Sequence, residues 1–233
     1  MFKSVGVAAL ALLLVACGVP RPRLTQPQTP AAPSVAPNAA PRERNYLIDA
    51  DRSELRILVY RAGPLARFGH NHVLVNRALH GTVGPGAAGS SVFSLQVPVA
   101  AFVVDDSQAR REEGADFEGE IADDAKAGTL HNMSSAALLD AGAHPLIAIS
   151  GVIAPLTAPG ARVTASVVIS VAGHESKIDV PLTLQGDSNG VTASGILGLR
   201  QTALGLTPYS LMLGALQVQD AMTLKFHIVA SPI

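Results

Sequence analysis

The chain has 233 residues, 17 of them basic and 18 acidic, and it is 48% hydrophobic with six Phe, three Tyr and no Trp. A charge balance near zero, with no long basic block, argues against nucleic-acid binding, and so few aromatic rings leave little for stacking on sugars or bases. Its single cysteine cannot form an internal disulfide, so stability must rest on packing and strand pairing.

The first element is an N-terminal export signal. Lys3 supplies a basic start, residues 5–16 are an unbroken run of Gly, Ala, Leu and Val, and Cys17 follows Leu14-Val15-Ala16. A charged end, a short apolar core and small residues at the cut are the layout of a secretory signal. The run falls short of the roughly 20 apolar residues that span a bilayer. Leu14-Val15-Ala16-Cys17 resembles the lipobox of bacterial lipoproteins. The resemblance implies that residues 1–16 are cut away, that the Cys17 thiol is diacylated, and that the new amino group is acylated. An ordinary signal with an incidental cysteine is the alternative.

Residues 17–44 form the next segment. It holds Pro20, Pro22, Pro27, Pro30, Pro33, Pro37 and Pro41 among Ala, Gln, Thr and Ser. Such a stretch buries no core and favours extended conformations. As a tether it reaches about 30 Å coiled and about 80 Å extended. Arg21, Arg23, Arg42 and Arg44 read as a solvated face. Several acyl chains anchor firmly where one does not, so the expectation is a membrane partner held through an N-terminal lipid anchor. Gly18, where the enterobacterial sorting pattern retains lipoproteins at the inner membrane with Asp, points to the outer membrane on its periplasmic side.

Residues 45–233 are long enough for one domain with a sizeable core. Its dominant signal is period-two alternation, the mark of strands with one buried face. Phe93, Leu95 and Val97 alternate with polar neighbours or Pro over 91–99. Val167 and Ile169 do so over 161–172, Ile178, Val180 and Leu182 over 175–185, and Leu224, Phe226 and Ile228 over 222–231. Further strands are expected at 53–61, 72–83, 146–155 and 190–202. Turn residues Ala172-Gly173 and Gly186-Asp187-Ser188-Asn189-Gly190 make 161–202 a three-strand meander. Residues 107–142, rich in Ala, Asp, Glu and Leu, read as one or two short helices. Eight antiparallel strands with one helical excursion predict an all-β, closed up-and-down barrel, which removes exposed edges. An eight-stranded barrel is wide enough to hold one small or slender ligand, or to be filled by its own side chains. If it is hollow, the alternating apolar residues line it.

Several spaced motifs carry a family resemblance. Tyr46-Leu47-Ile48-Asp49 with Ser53 opens the domain; Asn132, Ser134, Ser135 and Leu138-Leu139-Asp140-Ala141 precede His144-Pro145-Leu146-Ile147; Gly173-His174-Glu175-Ser176 falls within 167–184; Leu204-Gly205-Leu206 and Val218-Gln219-Asp220 precede the last strand. In order and spacing these resemble the YceI-like, polyisoprenoid-binding proteins over about residues 46–231. Ile149, Gly151 and Ser176 depart from the family's usual residues. The resemblance implies a lipocalin-like barrel around an isoprenoid or other long lipid, with no cofactor and no catalytic residues. Burial of such a chain gains about 0.8 kcal/mol per CH₂.

Phe68-Gly69-His70-Asn71-His72 is the most unusual segment. On a strand, His70 and His72 would point the same way and share a metal, with His80, His131, His174 or His227 or a carboxylate as a third ligand. No further motif supplies that ligand at diagnostic spacing. The structural alternative has the imidazoles bonded locally or lining the barrel mouth. Gly186 to Gly190 matches a hydrolase nucleophile elbow, but a strand rather than a helix follows, so it reads as a hairpin turn. Asp105-Asp106 and Asp123-Asp124 read as solvated loop or helix ends. The expected function is therefore a lipid carrier, buffer or sensor in the cell envelope, not an enzyme. A metal-binding protein or metal-dependent envelope enzyme built on His70 and His72 is the alternative.

Overall fold

The computed structural model describes residues 45–155, 160–187 and 189–233. Cys17, the proline-rich segment and Ser188 lie outside the described residues. The strands are β1 (Tyr46–Ile48), β2 (Glu54–Ala62), β3 (His72–Asn76), β4 (His80–Pro85), β5 (Ser91–Pro98) and β6 (Val103–Val104). After the helices α1 (Ser107–Glu112) and α2 (Asp123–Ser134) come β7 (Leu146–Ile153), β8 (Arg162–Val171), β9 (His174–Asp187), β10 (Gly190–Arg200), β11 (Ser210–Leu211) and β12 (Leu216–Pro232).

These segments make eight staves. β1 and β2 both lie antiparallel along β12, so they are one long strand with a break at 49–53. β3 pairs with β2 and β4 with β1; β6 pairs with β3 and β5 with β4. The second and third staves are therefore broken at the same level as each other, at 77–79 and 99–102. Each remaining stave pairs with its sequence neighbours, and β12 closes the ring on β1 and β2. The result is a closed antiparallel barrel of consecutive strands, as the alternation predicts. The helical excursion holds two helices plus a short 3-10 turn at Ala115–Phe117.

Buried polar side chains hold the breaks. The Ser53 hydroxyl donates to the Val229 carbonyl at 3.3 Å and accepts from its N–H at 3.0 Å, stitching the first break to the last strand. Asn76 Nδ2 donates to the Pro98 carbonyl at 2.8 Å, and Asn76 Oδ1 accepts from the Ala78 N–H at 3.0 Å, which ties the second break to the third. Both side chains are buried, where an unmatched polar group would cost about 1–3 kcal/mol.

The excursion covers the outer wall of β2 and β3. Leu58, Val73, Val75, Ala109 and Phe117 form a second apolar cluster there, apart from the barrel interior. Beside it, Arg56 donates to Glu113 at 2.8 Å, to Glu112 at 2.9 Å and to Glu54, while Lys225 pairs with Glu113. The helices are thus pinned to the wall by a small core with an ionic border.

The two ends of the barrel differ. One carries Asn45, the connection at 85–91 and the strand ends at Ile153, Arg162, Asp187 and Gly190. The other carries the segments 63–71, 105–145, 172–173 and 201–215. The turn at 212–213 of this second end is conformationally costly. Met212 and Leu213 both have positive φ, at 51° and 55°, a conformation that costs a non-glycine residue about 1–3 kcal/mol. Gly63, at φ 89°, packs against the same turn, and a Cβ there would sit 2.6 Å from the Gly214 and Ala215 carbonyl oxygens. Only glycine meets both demands.

Candidate functional site

The inward faces of the staves surround an apolar tunnel in two chambers. The inner chamber, of about 160 Å³, lies toward the Asn45 end and is lined by Tyr46, Ile48, Ile153, Leu184, Val191 and Ala230 among others. No charged side chain lines it. The outer chamber, of about 250 Å³, lies toward the second end. A single water needs only about 10–15 Å³ on such a measure, so the interior is not filled by its own side chains. Leu55, Ile149, Ile169 and Leu224 border both chambers and form a waist between them. A wider, more open groove of about 610 Å³ is bordered by Glu54, Arg56 and Lys225 and shares Leu182 and Phe226 with the inner chamber.

Alternation explains why the lumen is apolar, and glycine helps explain why it is open. Phe93 and Gly151 are direct cross-strand partners, as are Phe226 and Gly195. A Cβ on Gly151 would lie 2.8 Å from the Phe93 ring, and one on Gly195 would lie 2.6 Å from the Phe226 ring. Each ring therefore rests on the wall in the space a side chain would otherwise take, and does not project across the lumen.

Of the residues expected to line the barrel, Phe93, Leu95, Val167, Ile169, Ile178, Val180, Leu182, Leu224, Phe226 and Ile228 all border the inner chamber. Val97 does not: it is fully buried and packs in the core beyond the chamber wall. Leu224, Phe226 and Ile228 keep partial exposure although they face inward, as side chains bordering a hollow do.

Apart from Tyr46, Ser91 and Ser94 at the inner chamber, polar groups gather at the mouth of the outer chamber, where Arg61, His70, His72, Asn132, Tyr209 and Gln217 border it. α2 supplies Thr129, Asn132 and Met133 to this rim. His72 begins β3, while His70 lies just before it, so the two are not successive inward residues of one strand. Their rings meet edge to face at 6.2 Å between centroids.

His72 has a partner that the sequence did not reveal. Its Nδ1 lies 2.6 Å from Asp105 Oδ2, while Asp105 Oδ1 accepts from the Val73 N–H at 3.0 Å and from Arg110 Nη1 at 2.6 Å. Asp105, expected in solvent, is buried at 1% exposure. It directly follows β6 with φ at 54°, a conformation aspartate tolerates, and this turns its carboxylate inward. Burial pushes the carboxyl up, but the hydrogen bonds from His72, Val73 and Arg110 outweigh it and hold it below the usual range. An ionised carboxylate only accepts, so Nδ1 of His72 carries the proton in this hydrogen bond. Arg110 also donates to the Asn71 carbonyl at 2.8 Å, which locks the mouth to the helical excursion. Asp106 likewise is engaged: its side chain caps α1 by accepting from the Ala109 N–H at 2.9 Å. Asp123 and Asp124 do lie exposed in the first turn of α2.

His80, His131, His174 and His227 are exposed and apart from this pair. Among the described residues no three His, Cys, Asp or Glu side chains are placed to hold a metal ion. β9 and β10 form a hairpin across Ser188, with Gly190 opposite Asp187, and a strand follows it.

No protein-family model matches the chain, and no curated protein matches it. Solved structures do. BcnA of Burkholderia cenocepacia superposes with a TM-score of 0.56 at 16% identity, over 79% of this chain and 99% of that one. A polyisoprenoid-binding domain from Saccharophagus degradans, implicated in plant cell wall breakdown, superposes with a TM-score of 0.55 at 14% identity, over 82% of this chain and 100% of that one.

The chain shares their fold. The lipocalin-like barrel implied by the spaced motifs is thus present, and the shared part spans most of the chain. The motif residues sit at structural junctions in it: Ser53 at the first break, Gly173 in the β8–β9 turn, and Leu204-Gly205-Leu206 in the connection above the mouth. Leu204 and Leu206 both border the outer chamber.

Proposed function

We propose that the tunnel holds the hydrocarbon chain of an isoprenoid or another long-chain lipid. The observation that carries this is the two-chamber lumen: lined by apolar side chains from every stave, without a charge in its inner half, and edged by a cluster of polar and charged groups at the mouth. Such a lining offers a tail contact area and no hydrogen bonds to orient a polar substrate. The polar rim would keep a head group near water while the tail lies inside. The solved polyisoprenoid-binding domain of the same fold supports this choice of ligand.

The protein's role would be that of a carrier, buffer or sensor in the bacterial envelope, with no catalysis. The N-terminal sequence pattern supports periplasmic anchoring through Cys17 at the outer membrane. The decisive experiment is mass spectrometry of organic extracts from protein purified out of its native membrane. A co-purifying prenyl or fatty chain at near-stoichiometric amount is expected. Absence of any lipid, together with no uptake of a pyrene-labelled long-chain probe by delipidated protein, would overturn the reading.

A further inference from the structure

We propose that the rim of the mouth is a membrane-docking surface, on which Phe68, Leu211, Met212 and Leu213 enter the acyl region of a lipid bilayer. Leu213 is fully exposed, Met212 and Phe68 are mostly exposed, and Leu211 is 43% exposed. Other exposed apolar residues, such as Val92, Val152 and Ile196, alternate with polar residues along the outer wall. These four belong to two segments that pack side by side. The Leu65 N–H donates to the Ala215 carbonyl at 2.8 Å, and Gly63 abuts the Gly214 and Ala215 carbonyls. The strained backbone at Met212 and Leu213 holds both side chains outward, and strain of this kind accumulates where function requires it.

The chemistry of the rim selects the occupant. Residues 201–215 contain no charged side chain, and residues 63–71 contain no acidic one. Within these two segments and their flanks the charges nearest the apolar tip are Arg61, which donates to the Gly69 carbonyl at 2.7 Å, and Arg67, whose guanidinium lies 4.6 Å from the Phe68 ring centre, while the acidic Asp116 lies behind them against Asn71. An apolar tip with arginines behind it matches a bilayer of anionic head groups over acyl chains. Four exposed side chains are few beside the roughly 20–30 residues a side of a specific protein interface. The tip is also continuous with the tunnel, since Leu211 and Leu216 border the outer chamber. Docking would set the mouth directly against the source of an apolar ligand. In this purpose the inference rests on the lipid-binding reading; the docking itself does not.

The absence of tryptophan makes the test direct. Full-length Leu213→Trp and Phe68→Trp proteins each carry one indole at the tip, and Ile196→Trp carries one on the outer wall. All are mixed with phosphatidylethanolamine–phosphatidylglycerol vesicles bearing brominated acyl chains. The expected result is a blue shift with several-fold quenching for both tip variants and none for the wall variant, weaker on neutral phosphatidylcholine. Equal quenching at all three positions would overturn docking at the tip. So would a blue shift without quenching that grows with protein concentration, which would assign the tip to contact with a second copy. A Met212→Asp, Leu213→Asp double variant should bind the pyrene-labelled probe in solution as the wild type does, yet take it up from vesicles at least several-fold more slowly. If the wild type binds no probe in solution, the tunnel reading fails, while the quenching still decides docking.

Discussion

The Phe93 ring packs against Gly151, its direct cross-strand partner, with no room for a Cβ between them. The same relation links Phe226 and Gly195 across the barrel's last pair of strands. Gly151→Ala should push the ring into the lumen. It should cost about 1–3 kcal/mol of stability by overpacking. Displacing two methylenes' worth of lumen removes about 1.6 kcal/mol of contact, roughly tenfold in affinity for a long-chain probe. Gly198 has open space around its Cα, so Gly198→Ala should change neither quantity. Probe titration with denaturant unfolding of both variants checks this pair.

Leu182→Asp places a charge among the apolar residues of the inner chamber, where Leu182 is 7% exposed. No partner is available there, so stability should fall by several kcal/mol. Phe226→Asp should act alike, and both should abolish probe binding. Urea midpoints near wild type for either variant would contradict the lumen's apolar character.

Asp105 predicts an acid-sensitive mouth. Its carboxyl is held below the ordinary value of 3.8 in the fold, so its contribution is complete above that value and is lost as pH falls through the lower folded value. Urea stability should therefore decline below about pH 4 in the wild type. Asp105→Asn should lack this part of the decline. Asp105→Ala leaves the Arg110 guanidinium buried without its carboxylate, and should cost about 3–5 kcal/mol at neutral pH.

Among the described residues no further His, Cys, Asp or Glu side chain completes a metal-binding group with His70 and His72, so the pair should carry no stoichiometric metal. A His70→Ala, His72→Ala double variant should lose about 1–3 kcal/mol. Elemental analysis of protein made without a histidine tag checks this. Near-unit zinc, iron or copper that disappears in the double variant would bring forward the metal-dependent alternative.

Cys17→Ser tests the anchor. The variant precursor should remain unacylated and uncut at residue 16, and should leave the membrane fraction once its signal is otherwise removed. Identical processing and partitioning of variant and wild type would refute lipidation at Cys17.

Much of the barrel was legible because alternation at period two survives in nearly every stave. Residues 91–98 show it most clearly, with Phe93, Leu95 and Val97 on one face. The breaks were not legible. Ser53 and Asn76 are ordinary polar residues in sequence, and only their partners, Val229 and Pro98, reveal them as stitches. The outer cluster did leave a signal: Val73-Leu74-Val75 and Ile57-Leu58-Val59-Tyr60 are apolar on both faces, which means that both faces are covered. Asp105 left none. An Asp-Asp pair before a helix reads as a cap, and its second member is one; the first turns inward through a backbone angle that local sequence does not dictate.

The ends of the barrel strand ring meet. The Ile233 N–H donates to the Asn45 carbonyl at 3.0 Å, at the end remote from the mouth. The ring of staves therefore has no obligatory starting point, and a short linker from residue 233 to residue 45 would make a circular permutant feasible. Reopening the chain at Ala172-Gly173 would place both new ends beside the mouth while keeping every strand pair. Which way the tunnel points from any attachment is thus a property of where the chain is cut, separable from what the tunnel holds.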